Sequence, residues 1–321
     1  MEAARTASGG RALGIGLVAA LALLWLASPF LLAKYDLYVL NLVAVNALLA
    51  VGLNVVLGMA RQFALSSAAF YGVGAYASAL VQLHLGLGFF PGLLAAGLAG
   101  GLVAALVSMT AWRVGGLYLA MITFGFGEIF QFFLVHADAV TNGPDGLAVP
   151  RPALGGLAAA GEGALVWLFA PVLAVMLGGA YLLYRGALGR VLTALGDSEE
   201  ALSSLSLSPR LYKTVAFALS GVFASVAGAM LVAVVGFIDP YSFGLEQTLL
   251  HLTMVAVGGF GSLAGALAGA VSLTLLAEVL RDYHGIQEII YGAVLLLVFY
   301  FFPGGLAGLP AALRRLGRRG R

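Results

Sequence analysis

Long apolar runs alternate with short polar connectors along almost the whole chain, and these runs predict membrane spans. A helix needs about 17–25 residues to cross a bilayer. The second run and the short eighth run fit either full spans or re-entrant or broken helices. The pattern therefore predicts an all-α, polytopic membrane protein with about 8–10 transmembrane or re-entrant helices. The predicted segments are residues 12–33, 37–60, 63–85, 89–112, 116–135, 164–184, 211–235, 247–260, 262–280 and 286–302.

Composition supports the membrane assignment and excludes several kinds of site. The chain is 62% hydrophobic and only 9% charged, whereas about a quarter of a soluble domain is charged. Because cysteine is absent, the chain has no disulfide, no thiolate metal ligand and no thiol nucleophile. The few histidines are scattered without metal-ligand spacing on one helix, so no metal site is expected.

The distribution of basic residues predicts orientation and domain limits. Arginine and lysine concentrate in loops that stay cytoplasmic. They cluster near Arg61 and Arg113, in residues 185–213 and at both ends of the chain, whereas the alternate connectors are acidic or weakly charged. Both termini are therefore predicted to be cytoplasmic. The predicted parts are a basic head (1–11), a transmembrane domain (12–309) that contains a cytoplasmic loop (185–213), and an arginine-rich tail (310–321).

Residues 186–213 differ from the rest of the chain because charged, apolar and small residues are mixed there. Helix-forming residues occupy the centre, and Ser208 and Pro209 interrupt the pattern. The pattern predicts a short amphipathic helix outside the hydrocarbon. Such a helix is either a docking surface or a soluble hinge, and an ordinary solvated loop helix is the simpler alternative.

The same segment resembles the loop by which permeases of ATP-binding-cassette (ABC) importers engage their ATPases. In that motif an alanine-rich acidic helix is followed by a small residue and an apolar one. The usual glycine of the motif is Ser206 here. The motif positions, which the resemblance assigns to ATPase coupling, are Asp197, Glu199, Ala201, Leu202, Leu205, Ser206 and Leu207.

Further stretches extend this resemblance over roughly residues 41–309. Together they are similar to the larger of the two paralogous permeases of branched-chain amino-acid ABC importers. The family implies alternating access for branched-chain or hydrophobic amino acids. Uptake of urea or short amides by a related permease, and an ion-coupled secondary transporter, are the alternatives. The stretches are 54–58, 65–76, 116–123, 126–129, 141–147, 255–265 and 302–306.

The resemblance also implies partners and a location. We expect a paralogous permease subunit, two ABC ATPase subunits and an extracytoplasmic solute-binding protein, in a bacterial or archaeal cytoplasmic membrane, with no nucleic acid. The chain has no GxxxxGK[ST] loop, since neither Lys34 nor Lys213 follows a glycine. It is therefore expected to be no enzyme and to need no cofactor, with ATP bound by the partners. Direct docking is expected through Glu199, Ala201, Leu202, Leu205 and Leu207, with the acidic groups pairing to partner cations.

Polar residues inside the spans are candidates for the translocation path. Glu128 is an ionisable residue within a predicted span, where such groups usually face protein or water. Its alternative role is a structural carboxylate near the outer interface. Amides and hydroxyls in lipid also often bond across helices, so the remaining candidates have the same structural alternative. These candidates are Asn46, Asn54, Ser66, Ser67 and Thr123.

Overall fold

A computed structural model describes residues 24–152 and 161–280, with a few positions between 290 and 306. The predicted head (1–11) and tail (310–321) lie outside the described residues, as do most of the predicted segments 12–33 and 286–302.

The described chain is helical over most of each apolar run that predicts a membrane segment, which confirms the all-α prediction. Residues 24–31 are helical and precede the first complete helix. Two strands of two residues each, β1 (Leu147–Ala148) and β2 (Phe237–Ile238), pair antiparallel. The helices are α1 (Lys34–Asn54), α2 (Ser67–His84), α3 (Phe89–Ala111), α4 (Gly116–His136), α5 (Asp138–Thr141), α6 (Glu162–Arg185), α7 (Ala187–Asp197), α8 (Glu199–Ser204), α9 (Pro209–Val235), α10 (Leu245–Gly258) and α11 (Leu263–Val279).

Five helical stretches in the described part of the chain are long and apolar enough to cross a membrane. The shorter α10 and α11 are joined by a break at Gly259–Ser262, and their glycines pack the two backbones together: a Cβ on Gly269 would overlap the carbonyl oxygen of Met254. The five stretches are Lys34–Met59, Phe89–Ala111, Gly116–His136, Glu162–Arg185 and Pro209–Val235.

Helix α9 is at the centre of the bundle and packs against α1, α2 and α3. Its most apolar stretch is 72% buried, whereas that of α4 is only 22% buried. Small residues allow this central packing, since a Cβ on Gly74 would overlap the backbone of Ser225, and close approach is how helices associate in lipid. The hydroxyl of Ser225 also donates to the carbonyl of Phe70 at 2.7 Å.

The second segment ends in a π-helical turn, Val55–Met59. The amide of Ala60 donates to the carbonyl of Val55, five residues back, at 3.0 Å. Arg61 then adopts a left-handed conformation with φ 49°, and the chain is not helical again until Ser67. The first four residues of the predicted third segment, 63–66, are therefore not helical, and its helix begins at Ser67.

The polar segment between α6 and α9 forms two helices, although its pattern predicts one. Ser198 separates them with extended backbone at φ −161° and ψ 121°. Its hydroxyl accepts a hydrogen bond from the amide of Ala201 at 3.1 Å, which is the ordinary role of serine at a helix start. Pro209 begins α9, as the Ser208-Pro209 pair predicts.

The basic connectors lie at one end of the bundle and the alternate connectors at the other, as the charge pattern predicts. Arg61 contacts Asp197, and Lys213 contacts the end of α3, at one end. The β1–β2 pair and the contact between Tyr35 and Glu278 lie at the other. Which end faces the cytoplasm stays a prediction.

Candidate functional site

The polar loop, residues 186–208, rests its longer helix on the π-helical turn. A Cβ on Gly196 would overlap the carbonyl oxygen of Met59, and one on Gly189 would lie 3.2 Å from the Met59 side chain. Leu192 on the same helix is fully buried. Helix α7 is therefore packed against the end of the membrane bundle and is not a free solvated helix.

Helix α8 is held to the bundle by one apolar and one ionic contact. Leu202 is buried, with 1% of its surface exposed. The carboxylate of Glu199 lies 2.7 Å from the ammonium of Lys213, and the same ammonium donates to the carbonyl of Ala111 at 2.8 Å. Because the Lys213 side chain is only 6% exposed, this contact neutralises a nearly buried cation.

The acidic groups of the predicted coupling motif are already paired within the chain. Asp197 lies 2.9 Å from Arg61, and Glu199 pairs with Lys213. Both acids are therefore already neutralised within the chain, and their pairing with partner cations stays a prediction. Leu202 was also expected to dock directly, but it faces the bundle because its side chain fills the space between α8 and the membrane helices.

The outward face of α8 consists of other residues. Ala201 is exposed, and Leu205 has 68% of its surface exposed. Leu207 is half-buried against the bundle. Glu200 is exposed and has no ion-pair partner among the described residues. The motif did not single out Glu200, since Glu199 and Glu200 are adjacent acids and only the position of Lys213 distinguishes them.

Ser206 occupies the turn after α8 with φ +60°. An L-residue in the left-handed region is strained, whereas glycine is not. The conformation therefore gives a physical reason for the glycine that this motif usually has, and serine adopts the same backbone here. The turn directs Leu207 back toward the bundle.

Two of the predicted path amides join α1 to the last described helix pair. The side-chain amide of Asn54 accepts from the backbone N–H of Gly261 at 2.9 Å and donates to the carbonyl of Ser262 at 2.9 Å. Asn46 donates to the hydroxyl of Thr274 at 2.9 Å. Asn54 is fully buried, so it stabilises the α10–α11 break from within the bundle.

The hydroxyl candidates lie around the non-helical stretch that precedes α2. Thr123 accepts from the backbone N–H of Leu65 at 2.9 Å, which satisfies a donor that the missing helix leaves free. Ser67 lies 3.2 Å from the Nδ1 atom of His251. Ser66 is 1% exposed, and its hydroxyl has no hydrogen-bond partner in the described structure.

His251 is a polar residue of this region that sequence reasoning passed over. Its Nε2 atom lies 2.9 Å from the amide nitrogen of Gln247, and its ring meets that of Tyr71 edge-on at 5.5 Å. It is fully buried. The histidines were set aside because their spacing fits no metal site, and no group of three possible metal ligands occurs in the part of the chain that the structure describes.

Glu128 lies on the exposed side of α4. It lines an open groove of about 560 Å³ with Gln131, Phe132 and Tyr241, among others. The amide of Gln131 donates to the carbonyl of Tyr241 at 3.4 Å across this groove. Within a span that is only 22% buried, an ionisable side chain on the open face indicates contact with protein or water.

Comparison with known proteins identifies the family of this chain. A family model described as "Branched-chain amino acid transport system / permease component" matches residues 36–303. The chain belongs to this permease family. The permease is 33% identical over 311 residues to the high-affinity branched-chain amino acid transport system permease protein LivM of Escherichia coli, covering 89% of this chain and 73% of LivM.

Other relatives have related roles. The permease is 32% identical to LivM of Salmonella typhimurium over the same shares of both chains. It is 35% identical over 143 residues to the autoinducer 2 import system permease protein LsrC of Klebsiella pneumoniae, covering 43% of this chain and 39% of LsrC. No solved structure matches the permease. The predicted family is thus confirmed, and the chain is a multi-pass membrane protein of the ABC permease class.

Proposed function

We propose that this permease is the membrane-spanning subunit of an ATP-driven importer of branched-chain or other hydrophobic amino acids. Family membership supports the transport role, and the LivM relatives, named as permeases of a branched-chain amino acid transport system, support the solute class. The ATPase connection is carried by one structural observation. Helix α8 is anchored by Leu202 and the Glu199–Lys213 pair, and it offers Glu200, Ala201 and Leu205 outward.

The proposed mechanism uses α8 as the contact with a partner ATPase on the cytoplasmic side. An exposed leucine surrounded by small and acidic residues is suited to a groove with an apolar floor and a basic rim. Because Leu202 and Lys213 hold α8 to α9 and α3, a push on α8 reaches the central helices. Two ATPases that close on ATP would then tilt the spans and open the path alternately to each side.

The open face of α4 is the proposed site of contact with a paralogous permease and the proposed lining of the path. The exposed side of α3 is apolar, with Leu94, Leu98 and Leu102 at helical spacing, and it is suited to lipid. The exposed side of α4 includes Glu128. A carboxylate is costly in lipid, so this face is the one that requires protein or water. A solute-binding protein is the proposed source of substrate at the opposite end.

Copurification from the native membrane tests the partners. We expect two ATPase subunits and a second permease to copurify with the wild-type chain. The double variant Glu200→Ala, Leu205→Ala is expected to lose the ATPases and keep the second permease, because it removes only the outward face of α8. Leu98→Ala, which removes an exposed leucine on α3, is the matched control. Recovery of the chain alone, with uptake driven by an ion gradient, would favour a secondary transporter instead.

A further inference from the structure

We propose that the π-helical turn Val55–Met59 is the junction that connects the polar loop to the α10–α11 break, with Asn54 as its positioning residue. This inference rests on the proposed function, since it states how a push on the loop reaches the membrane helices. The junction is built from contacts on two sides of one short stretch, residues 54–61, at the end of α1. Neither side was evident from the sequence.

The first side of the junction contacts the polar loop. Gly196 has no side chain, so α7 lies directly on the carbonyl of Met59 and on the backbone of Ala60. Asp197, the next residue, pairs with Arg61 at 2.9 Å. Backbone-to-backbone packing leaves little freedom for sliding, so α7 and the end of α1 are expected to move as one body.

The second side contacts the helix break. A Cβ on Gly58 would overlap the backbone nitrogen of Gly261. Asn54 binds both Gly261 and Ser262 through its single amide. These two bonds satisfy a backbone donor and a backbone acceptor that the break removes from regular helix geometry. The break is therefore held in its position relative to α1 by one side chain.

The π-helical turn brings the end of α1 into contact with both the polar loop and the α10–α11 break. Its wider winding ends α1 with the amide of Ala60 bound five residues back, and such turns occur frequently at functional sites. Val55 and Val56 in the turn are buried, at 0% and 1% exposed. The turn is thus an enclosed part of the bundle: Met59 supports α7, while Asn54 just before the turn and Gly58 within it contact the break.

The complete importer, reconstituted in vesicles with its solute-binding protein, tests Asn54. We expect Asn54→Ala to keep ATP hydrolysis but to lower the amount of solute moved per ATP by about tenfold, because two hydrogen bonds to the break are lost. Asn54→Asp keeps the acceptor for Gly261 and loses the donor for Ser262, so an intermediate ratio is expected. If Asn54→Ala fails to assemble, Asn54→Asp can still be assayed in its place.

Asn46→Ala is the matched control. Asn46 lies on the same helix and also bonds α11, through Thr274, away from the break. It is expected to leave the ratio of transport to hydrolysis unchanged. Equal ratios for the Asn54 and Asn46 variants would overturn the junction while leaving the proposed function intact. Absence of ATP-driven uptake in the wild-type complex would instead overturn the proposed function.

The natural absence of cysteine allows a second, independent test. Arg61→Cys and Asp197→Cys, joined by a short thiol-reactive cross-linker, would fix α7 to the end of α1. If the two move as one body, the cross-linked importer retains at least half of its uptake. Loss of uptake that returns when a cleavable cross-linker is cut would show that they move relative to each other and would contradict the junction.

Discussion

Replacing Glu199 tests whether the pair with Lys213 holds α8 in place. Glu199→Ala removes the carboxylate that lies 2.7 Å from an ammonium whose side chain is only 6% exposed. After the change, the carbonyl of Ala111 is the one remaining acceptor that the structure gives this cation. Helix α8 has six residues, which is too short to be stable by itself. Its order therefore depends on contacts of this kind.

The expected magnitude follows from the burial of the two partners. A hydrogen bond to a charged group contributes about 1.5–3 kcal/mol, and an exposed ion pair contributes about 0.2–1 kcal/mol. Glu199 is 48% exposed while Lys213 is nearly buried, so an intermediate loss of about 1–2 kcal/mol is expected for Glu199→Ala. Glu199→Gln keeps a neutral acceptor and is expected to lose about half as much.

Hydrogen exchange of the backbone amides in residues 199–205 measures this loss directly. Local opening of α8 separates Glu199 from Lys213, so the free energy of opening falls by the energy of the pair. A loss of about 1–2 kcal/mol corresponds to roughly 5- to 30-fold faster exchange. Amides in the centre of α9 serve as an internal reference and are expected to be unaffected.

Glu200→Ala is the control, because it also removes an acid from the first turn of α8 but breaks no ion pair in the described structure. It is expected to change exchange by no more than about two- to fivefold, the size of a helix-dipole effect. Equal acceleration in the Glu199 and Glu200 variants would refute the anchoring role of the pair. Unchanged exchange in Glu199→Ala would refute it as well.

Two further predictions concern backbone conformation and packing. Ser206→Gly is expected to stabilise the turn after α8 by about 1 kcal/mol, because φ is +60°. Ser204→Gly, within α8, is expected to destabilise the helix by a similar amount. Hydrogen exchange of amides 203–208 measures both effects, and a change of the same sign in the two variants would contradict the reasoning. Gly74→Ala is expected to lower the melting temperature and the yield of monodisperse protein, because its Cβ would overlap the Ser225 backbone and overpacking costs about 1–3 kcal/mol. Gly125→Ala, where a Cβ would meet nothing within 4 Å, is the control, and an equal loss in both would argue against the close α2–α9 contact.

The helices were predictable from the sequence because a bilayer sets their length. The predicted segments 89–112 and 116–135 each end within one residue of α3 and α4. The non-helical stretch before Ser67 was not predictable, since residues 63–66 have no proline or glycine that would prevent a helix. Its reason is tertiary: the left-handed Arg61 ends the π-helical turn, and Thr123 from another span supplies the missing hydrogen bond.

The candidate sites were predictable in position but less so in detail. The motif located the polar loop, yet local sequence could not show that Glu199 faces inward and Glu200 outward, because that depends on Lys213 beyond the Pro209 break. Asn54 was selected as a candidate for the translocation path, and that role stays a prediction. Its two backbone partners are more than two hundred residues away, and no local pattern contains that information.

The exposed carboxylate on α4 has a consequence for how the protein is made. An acidic residue near the centre of a membrane helix opposes insertion by about 2.5–3.5 kcal/mol, but each Leu, Ile or Phe favours it by about 0.3–0.6 kcal/mol. The many such residues of Gly116–His136 together outweigh Glu128. The helix can therefore enter the bilayer before any other subunit arrives. If the proposed second permease covers this face, a newly made chain retains an energetic penalty that assembly relieves, and an unassembled copy is expected to be less stable in the membrane than the complex.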